Sequence, residues 1–483
     1  MSSNFDLSNR PPADKVLVDI ADYVLDYKIE SDLAYNEALN AFVDTLGCGL
    51  LALNFRDCVR HLGPVVEGTT VPLGSRVPGR STVLDPIKAA WDIGVMVRWL
   101  DFNDTWLAAE WGHPSDNLGA ILSLSDYLSQ KAVDEGKEPL TIKELLGWMI
   151  KAYEIQGVIA LENSFNRVGI DHVILVRVAS TAVSAAMLGA TKDQIISAIS
   201  HAWVDGSALR TYRHAPNASS RKSWAAGDAT ARGLFLALLA TRDEIGLPSA
   251  LTAKQWGFYD VVFKGNQFSL PQKYATYVME NILYKISFPA EFHAQTAVEA
   301  ALTLHSDVKD RFDQIDRIEL TTHESAIRII SKVGELANFA DRDHCLQYMV
   351  AVGLIEGKLI SEYYEDDYYH RTPLIDQLRD KMVVQEDKRY SKEYLESDKR
   401  SIANSVQIFF KDGTSSAKVE VEYPIGHKRR RDEGIPLLRA KFLNNLKEQF
   451  SEEDSKKIYD LAIDLKKIES IPVNQFLDML VTT

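Results

Sequence analysis

"DHVILVRVASTAVSAAMLG", residues 171–189, decides the fold class. Its apolar residues recur at three- and four-residue spacing, and small residues crowd the positions between them, which predicts an α-helix covered on most of its surface. Alanine, serine and glycine leave little bulk on a helix, so neighbouring axes approach closely. The same spacing returns in residues 36–55, 85–102, 116–133, 141–160 and 191–206, several of which open on Asp, Asn or Thr placed as an N-cap. "SWAAGDATARGLFLALLA", residues 223–240, repeats the small-residue pattern. An all-helical domain is expected over residues 1–274.

The texture changes after about residue 271. "RFDQIDRIELTTHES", residues 311–325, holds a short alternating stretch, and "SVQIFFKDGTSSAKVEVEYP", residues 405–424, reads as two strands around a Lys-Asp-Gly-Thr turn. A smaller α+β lid domain is expected over residues 275–430. Residues 431–483 return to helical spacing and are expected to complete the helical domain. The fold class is thus mostly α, with one large helical domain and a smaller α+β lid. "SEYYEDDYYHRT", residues 361–372, reads as a solvated, exposed excursion.

A chain of 483 residues exceeds what one core usually supports, and 46% hydrophobic with 25% charged residues is a globular balance. No window approaches the ~18 uninterrupted apolar residues of a membrane span. The opening twenty residues lack the hydrophobic core of a secretory signal, and their acidic members make a poor organellar presequence. The net charge of -14 argues against nonspecific nucleic-acid binding, which needs a basic footprint. Cys48, Cys58 and Cys345 form no C-x-x-C pair, so neither a disulfide framework, a structural zinc site nor an iron–sulfur cluster is expected. They read as small buried hydrophobes in a reducing compartment, the cytoplasm or the mitochondrial matrix.

Four segments set ionisable groups where the local pattern calls for apolar or small residues. In "DFNDTWLAAEWGHPSDN", residues 101–117, Asp101 and Thr105 would share a face if the preceding helix continues, and His113 stands just before an N-cap at Ser115 or Asp116. His172 opens an apolar helix directly after Asp171. Arg210, Arg213, Arg221 and Lys222 cluster beside His214, Tyr212 and Trp224, and Lys285 and His293 flank a Phe-Pro turn. Each segment alone is most simply a capped histidine or a solvated loop. Together, in an acidic chain, they suggest a pocket for a multiply charged anion, with cations binding carboxylates and histidines moving protons. No H-x-x-x-H or HExxH spacing supports a metal, no G-x-S-x-G supports a serine nucleophile, and no phosphate or dinucleotide glycine motif occurs.

The segments at 98–117, 160–176, 211–217, 221–233, 286–300, 341–351 ("DRDHCLQYMVA") and 421–431 ("VEYPIGHKRRR") resemble the MmgE/PrpD family, over nearly the whole chain from about residue 19. The resemblance implies a helical domain with a smaller lid, an active site between them and a homodimer. It implies cluster-independent dehydration of 2-methylcitrate to 2-methyl-cis-aconitate in propionate breakdown, with no cofactor and a small tricarboxylate as substrate. Relatives in the wider family decarboxylate cis-aconitate. The family's site residues match here as Asp101, Thr105, His113, His172, Lys222, His293 and Tyr348, together with Lys285.

Removing a proton next to a carboxylate makes an enolate-like dianion, so such a site must aim positive charge at it. His113 and His172 are expected to share the proton transfers, with Asp101 orienting one imidazole and Lys222, with Arg210 or Arg213, holding carboxylates. Trp106 and Trp111 are expected to exclude water. Asp104, Glu110 and Asp116 are divided evenly between a part in the site and the plainer task of capping helices or facing water. The rival readings are decarboxylation of cis-aconitate, dehydration of citrate, a metal-dependent hydrolase and a silent anion-binding helical scaffold.

Overall fold

A computed structural model describes residues 10–205, 208–214, 216–396 and 398–481. Residues 1–9 of the opening twenty read for a targeting signal lie outside the described residues, as do residues 206, 207 and 215 in the 206–217 loop.

The helices predicted from spacing form where expected: α1 (Asp32–Ala52), α2 (Pro86–Arg98), α3 (Leu118–Asp134), α4 (Ile142–Ala160), α5 (Val173–Met187), α6 (Lys192–Val204) and α7 (Arg221–Ala240). Thr141 and Thr191 each close a capping box with the residue three positions on, and the Asp85 carboxylate accepts from Ile87 and Lys88 N–H, so exposed amides at these starts are satisfied by side chains. The small-residue surfaces do what spacing implied. α7 packs against both α2 and α5, and a Cβ built on Gly94 of α2 would stand 2.6 Å from Gly227 Cα of α7. No side chain fits at that crossing, so the two axes meet backbone to backbone.

The second core is built on α8 (Gln295–Val308), α9 (Leu346–Glu356) and a four-stranded sheet of β1 (Ile315–Thr322), β2 (Met382–Glu386), β3 (Asn404–Phe410) and β4 (Val419–Val421). The strand order is β2-β1-β3-β4, with β2 parallel to β1 and the other pairings antiparallel. β3 and β4 are the expected hairpin, closed where Phe410 N–H donates to Thr414 O at 2.8 Å. β2 carried no alternation strong enough to be read from sequence; its parallel pairing with the interior strand holds it.

One large core joins residues from Leu17 to Ile286 with Ile425 to Leu480, so the C-terminal α10 (Arg431–Lys447) packs on α1 beside the first helices. The second runs from Phe288 to Phe410. The reading of residues 361–372 as an exposed excursion is corrected. Tyr364 and Tyr368 are buried in the second core, and the Tyr364 hydroxyl donates to Pro289 O at 2.8 Å, because their rings fill space that the acidic neighbours leave at the surface. Cys48, Cys58 and Cys345 are all buried and unbridged. Among the described residues no helix is long and apolar enough to cross a membrane.

Candidate active site

The helix α2 stops at Arg98, and Asp101 adopts φ +49°, so the face that Asp101 and Thr105 would have shared does not form. A non-glycine residue in this left-handed region costs roughly 1–2 kcal/mol, least for Asp and Asn. The conformation is held from both sides. Arg98 and Lys285 both donate to Asp101 Oδ1, and Lys285 Nζ also donates to the Asp101 carbonyl at 2.7 Å. Lys285 arrives there because Thr105 and Leu283 exchange backbone hydrogen bonds at 2.8 and 3.1 Å. Burial raises the Asp101 pKa, but Arg98 and Lys285 outweigh it and hold the carboxyl well below the usual range.

His113 is fully engaged. Its Nδ1–H donates to Asp104 O at 2.6 Å, and its Nε2 accepts from Arg98 Nη2 at 2.8 Å. Burial and the Arg98 and Lys285 charges keep its pKa well below the ordinary imidazole value, so it is neutral. His172, at the start of α5, lies 5.5 Å away ring to ring. Its Nδ1 is 3.3 Å from Asp171 Oδ1 and its Nε2 3.9 Å from Asp116 Oδ2, neither forming a hydrogen bond. Arg210 and Arg213 clamp Asp171, with Arg213 Nη2 at 3.1 Å from Oδ1 and Arg210 Nη1 at 3.2 Å from Oδ2. Burial lowers the His172 pKa while Asp171 and Asp116 oppose it.

Gly112 sits behind this ring. A Cβ there would lie 3.2 Å from His172 Cδ2 and 3.1 Å from Gln156 Nε2. Gly112→Ala is therefore expected to shift the imidazole and reduce turnover about tenfold or more, since small displacements in a site are costly. Steady-state kinetics on the folded variant check this; unchanged turnover would mean the ring position is unimportant.

Ser115 and Asp116 are not N-caps. They lie in a 3-10 turn, Pro114–Asn117, whose side chains form a buried network. Asp104 Oδ1 accepts from Ser115 N–H at 3.2 Å and Ser115 Oγ at 2.6 Å, and Asn103 Nδ2 donates to Asp116 Oδ1 at 3.2 Å. Asp104, Glu110 and Asp116 are all completely buried, so the solvent-facing reading fails for each. Burial raises the pKa of Asp104 and of Glu110 to about 7. Because the folded-state pKa exceeds the unfolded one, protonation favours the fold, and stability falls as pH climbs from about 4 to about 7 by on the order of 1 kcal/mol per unit per group. Asp104→Asn is expected to flatten that slope. Thermal midpoints at pH 5 and pH 8 test it, and an unaltered difference between them refutes it.

The second core supplies the opposite wall. Glu291 Oε1 lies 2.8 Å from His293 Nδ1, and His293 Nε2 is 3.0 Å from the Tyr394 hydroxyl. Burial alone would raise Glu291, but His293 draws it down to about 2. Lys222, from α7, donates to Asp343 Oδ2, whose other oxygen is 2.8 Å from His344 Nδ1. Burial lowers the pKa of both Lys222 and Lys285, each opposed by its aspartate. Trp111 meets His293 edge to face at 5.7 Å, and the Arg210 guanidinium lies over the Trp111 ring at 5.2 Å.

These groups enclose a small cavity lined by Arg98, Asp101, Thr105, Trp111, His113, His172, Arg210, Arg213, Glu291, His293 and His344. Its volume is about 20 Å³, room for about one water. Of the residues singled out from sequence, Asp101, Thr105, His113, His172, Arg210, Arg213 and His293 line it, while Lys222 and Lys285 stand one layer behind through Asp343 and Asp101. Tyr348 does not line it. Its hydroxyl donates to Tyr363 O at 2.5 Å inside the second core, and its ring lies against Tyr364. Arg98, Glu291 and the Asp343–His344 pair were not singled out. The one available signal was "DRDHC", which repeats the Asp-His order of residues 171–172. Among the described residues no group of three or more His, Cys, Asp or Glu is placed to hold a metal ion.

Family models for the MmgE/PrpD N-terminal and C-terminal domains match residues 18–271 and 288–466. The chain belongs to the MmgE/PrpD family. Its MmgE/PrpD N-terminal match carries Arg98 to Lys222 and its C-terminal match carries Glu291 to His344, while Lys285 falls between them. The chain is 56% identical to the 2-methylcitrate dehydratase of Salmonella typhimurium, covering 99% of this chain and 100% of that one. It is 57% identical to the 2-methylcitrate dehydratase of Cupriavidus necator over 99% of each chain. A mitochondrial 2-methylcitrate dehydratase of Yarrowia lipolytica is 54% identical, covering 100% of this chain and 93% of its own.

Proposed function

We propose that the chain is a hydro-lyase that eliminates water from 2-methylcitrate to give 2-methyl-cis-aconitate. The observation that carries this reading is identity of 54–57% along essentially the full chain to relatives bearing that name. The cavity's chemistry supports it. Five cationic side chains, Arg98, Arg210, Arg213, Lys222 and Lys285, stand at or just behind its walls. Each is paired to an internal aspartate, directly or as part of a shared cluster, so the charges are compensated before substrate arrives. A tricarboxylate needs far more room than one water, so binding widens the seam between the two cores and lets substrate carboxylates share these cations.

Arg98, Arg210 and Arg213 reach the cavity and hold carboxylates, the planar guanidinium suiting bidentate contact. Lys285 and Lys222 act through Asp101 and Asp343 to set the field into which the enolate-like charge develops. His172 delivers the proton to the departing hydroxyl. A bound trianion raises the pKa of an adjacent imidazole, and Asp171 and Asp116 face its two nitrogens to stabilise the cation. His113 reaches the cavity with both nitrogens already bonded, and its Nε2 holds the Arg98 guanidinium where a substrate carboxylate meets it. Thr105 and His293 complete the substrate-contacting surface. A homodimer, in the cytoplasm or mitochondrial matrix, belongs to the same reading; light scattering tests the dimer.

Ultraviolet absorbance of the new conjugated double bond tests the reaction, using EDTA-treated protein with 2-methylcitrate, citrate and cis-aconitate in parallel. A faster rise with 2-methylcitrate than with citrate is expected, by about 10–200-fold for a methyl-sized difference. Loss of cis-aconitate with release of carbon dioxide, and no rise with either hydroxy acid, would move the reaction to decarboxylation.

A further inference from the structure

Four histidines line the cavity, and their ring nitrogens are not equally occupied. His113 has both bonded, to Asp104 O and to Arg98. His293 has both bonded, to Glu291 and to Tyr394. His172 turns both toward carboxylates, Asp171 and Asp116, an arrangement that holds a proton to be given once substrate widens the seam rather than a free lone pair. His344 alone differs. Its Nδ1 is 2.8 Å from Asp343 Oδ1 and 3.3 Å from Lys222 Nζ, and among the described residues its Nε2 makes no hydrogen bond, the nearest acidic atom being Asp101 Oδ2 at 4.0 Å. The ring retains 11% exposure into the cavity. The shorter contact assigns the tautomer: Nδ1–H donates to Asp343 Oδ1, Lys222 from α7 donates to Asp343 Oδ2, and the Nε2 lone pair is left facing the reacting space.

We propose that His344, oriented by Asp343, is the base that removes the carbon-bound proton, with Asp343 as its positioning residue. This rests on the dehydratase reading above. His344 Nε2 takes the proton from the methyl-bearing carbon next to its carboxylate, and the C–H electron pair becomes the new C=C bond. The C–O bond of the adjacent carbon breaks, and the hydroxyl leaves as water with the proton that His172 supplies. His344 ends protonated and His172 neutral, and exchange with solvent restores both. The two groups come from opposite sides of the seam, His344 from the chain of the second core and His172 from the first, so base and acid act from different walls. Burial and the Lys222 charge lower the His344 pKa to about 4, which keeps the ring in its neutral, proton-accepting form at neutral pH.

The test compares wild type, His344→Gln and Asp343→Asn on 2-methylcitrate, with the methyl-bearing carbon carrying hydrogen or deuterium. His344→Gln is expected to lose at least ~100-fold in kcat with KM within a few-fold, and its deuterium isotope effect on kcat is expected to rise. Loss of the base makes C–H cleavage fully rate-limiting, an effect that a packing or acid role does not produce. Asp343→Asn keeps the imidazole and is expected to lose about tenfold with the same direction of isotope effect; it decides the matter if His344→Gln does not fold. Turnover of either variant within threefold of wild type, or a loss with an unchanged isotope effect, overturns the assignment of His344. Absence of dehydration by the wild-type protein itself overturns the reaction rather than the base.

Discussion

Asp101→Ala is expected to abolish measurable dehydration and to lower unfolding stability by about 3–5 kcal/mol, the usual cost of leaving a buried charge without its partner. Two cations converge on the Asp101 carboxylate, Arg98 and Lys285, and Lys285 is completely buried. Removing the carboxylate strands both in a site that water barely enters, and it frees the left-handed turn that places Thr105 against Leu283. Denaturant unfolding followed by tryptophan fluorescence reads the stability, since Trp99, Trp106 and Trp111 lie buried nearby in sequence. A midpoint equal to wild type would show that the cations find other partners. The double variant Asp101→Ala/Lys285→Met is expected to recover much of the stability and none of the activity, because it removes the stranded charge without restoring the field.

His172→Ala and His113→Ala are each expected to reduce kcat by at least ~100-fold with the fold retained, and for different reasons. His172→Ala removes the proposed acid. His113 loses the acceptor that holds Arg98 Nη2, so the guanidinium swings toward Asp101 and Asp116 and substrate carboxylates meet a misplaced partner. His113→Ala is therefore expected to raise KM as well, while His172→Ala acts on kcat alone. Near-wild-type turnover in either variant, measured on protein with an unchanged melting curve, removes that residue from the site.

The helical frame was readable because its cause is local. Three- and four-residue apolar spacing, capping residues such as Thr141 and Thr191, and runs of small residues each act within a few turns of chain. The hairpin around Lys-Asp-Gly-Thr was readable for the same reason. β2 was not, because what makes Met382–Glu386 a strand is its parallel partner more than sixty residues earlier. Nor was the burial of Tyr364 and Tyr368, whose acidic neighbours mask the rings that fill the second core. At the site, Asp101, His113 and His172 stood out as ionisable residues in apolar surroundings. Arg98 did not, since an arginine ending a helix is ordinary at the surface, and only the fold turns it inward between Asp101 and His113. Tyr348, carried by resemblance alone, lies in the second core with its hydroxyl spent on a carbonyl.

The sequence by itself determined the two-part architecture, the chemical types gathered for a multiply charged anion and, through residues in family-like runs, the family. Only the tertiary structure decided which charges are paired and which nitrogen is left open. Pairing depends on groups far apart in the chain coming within a few ångströms, as Lys285 does with Asp101 and Lys222 with Asp343. Burial then sets the protonation states, because taking water away from a charge costs more than any local pattern records.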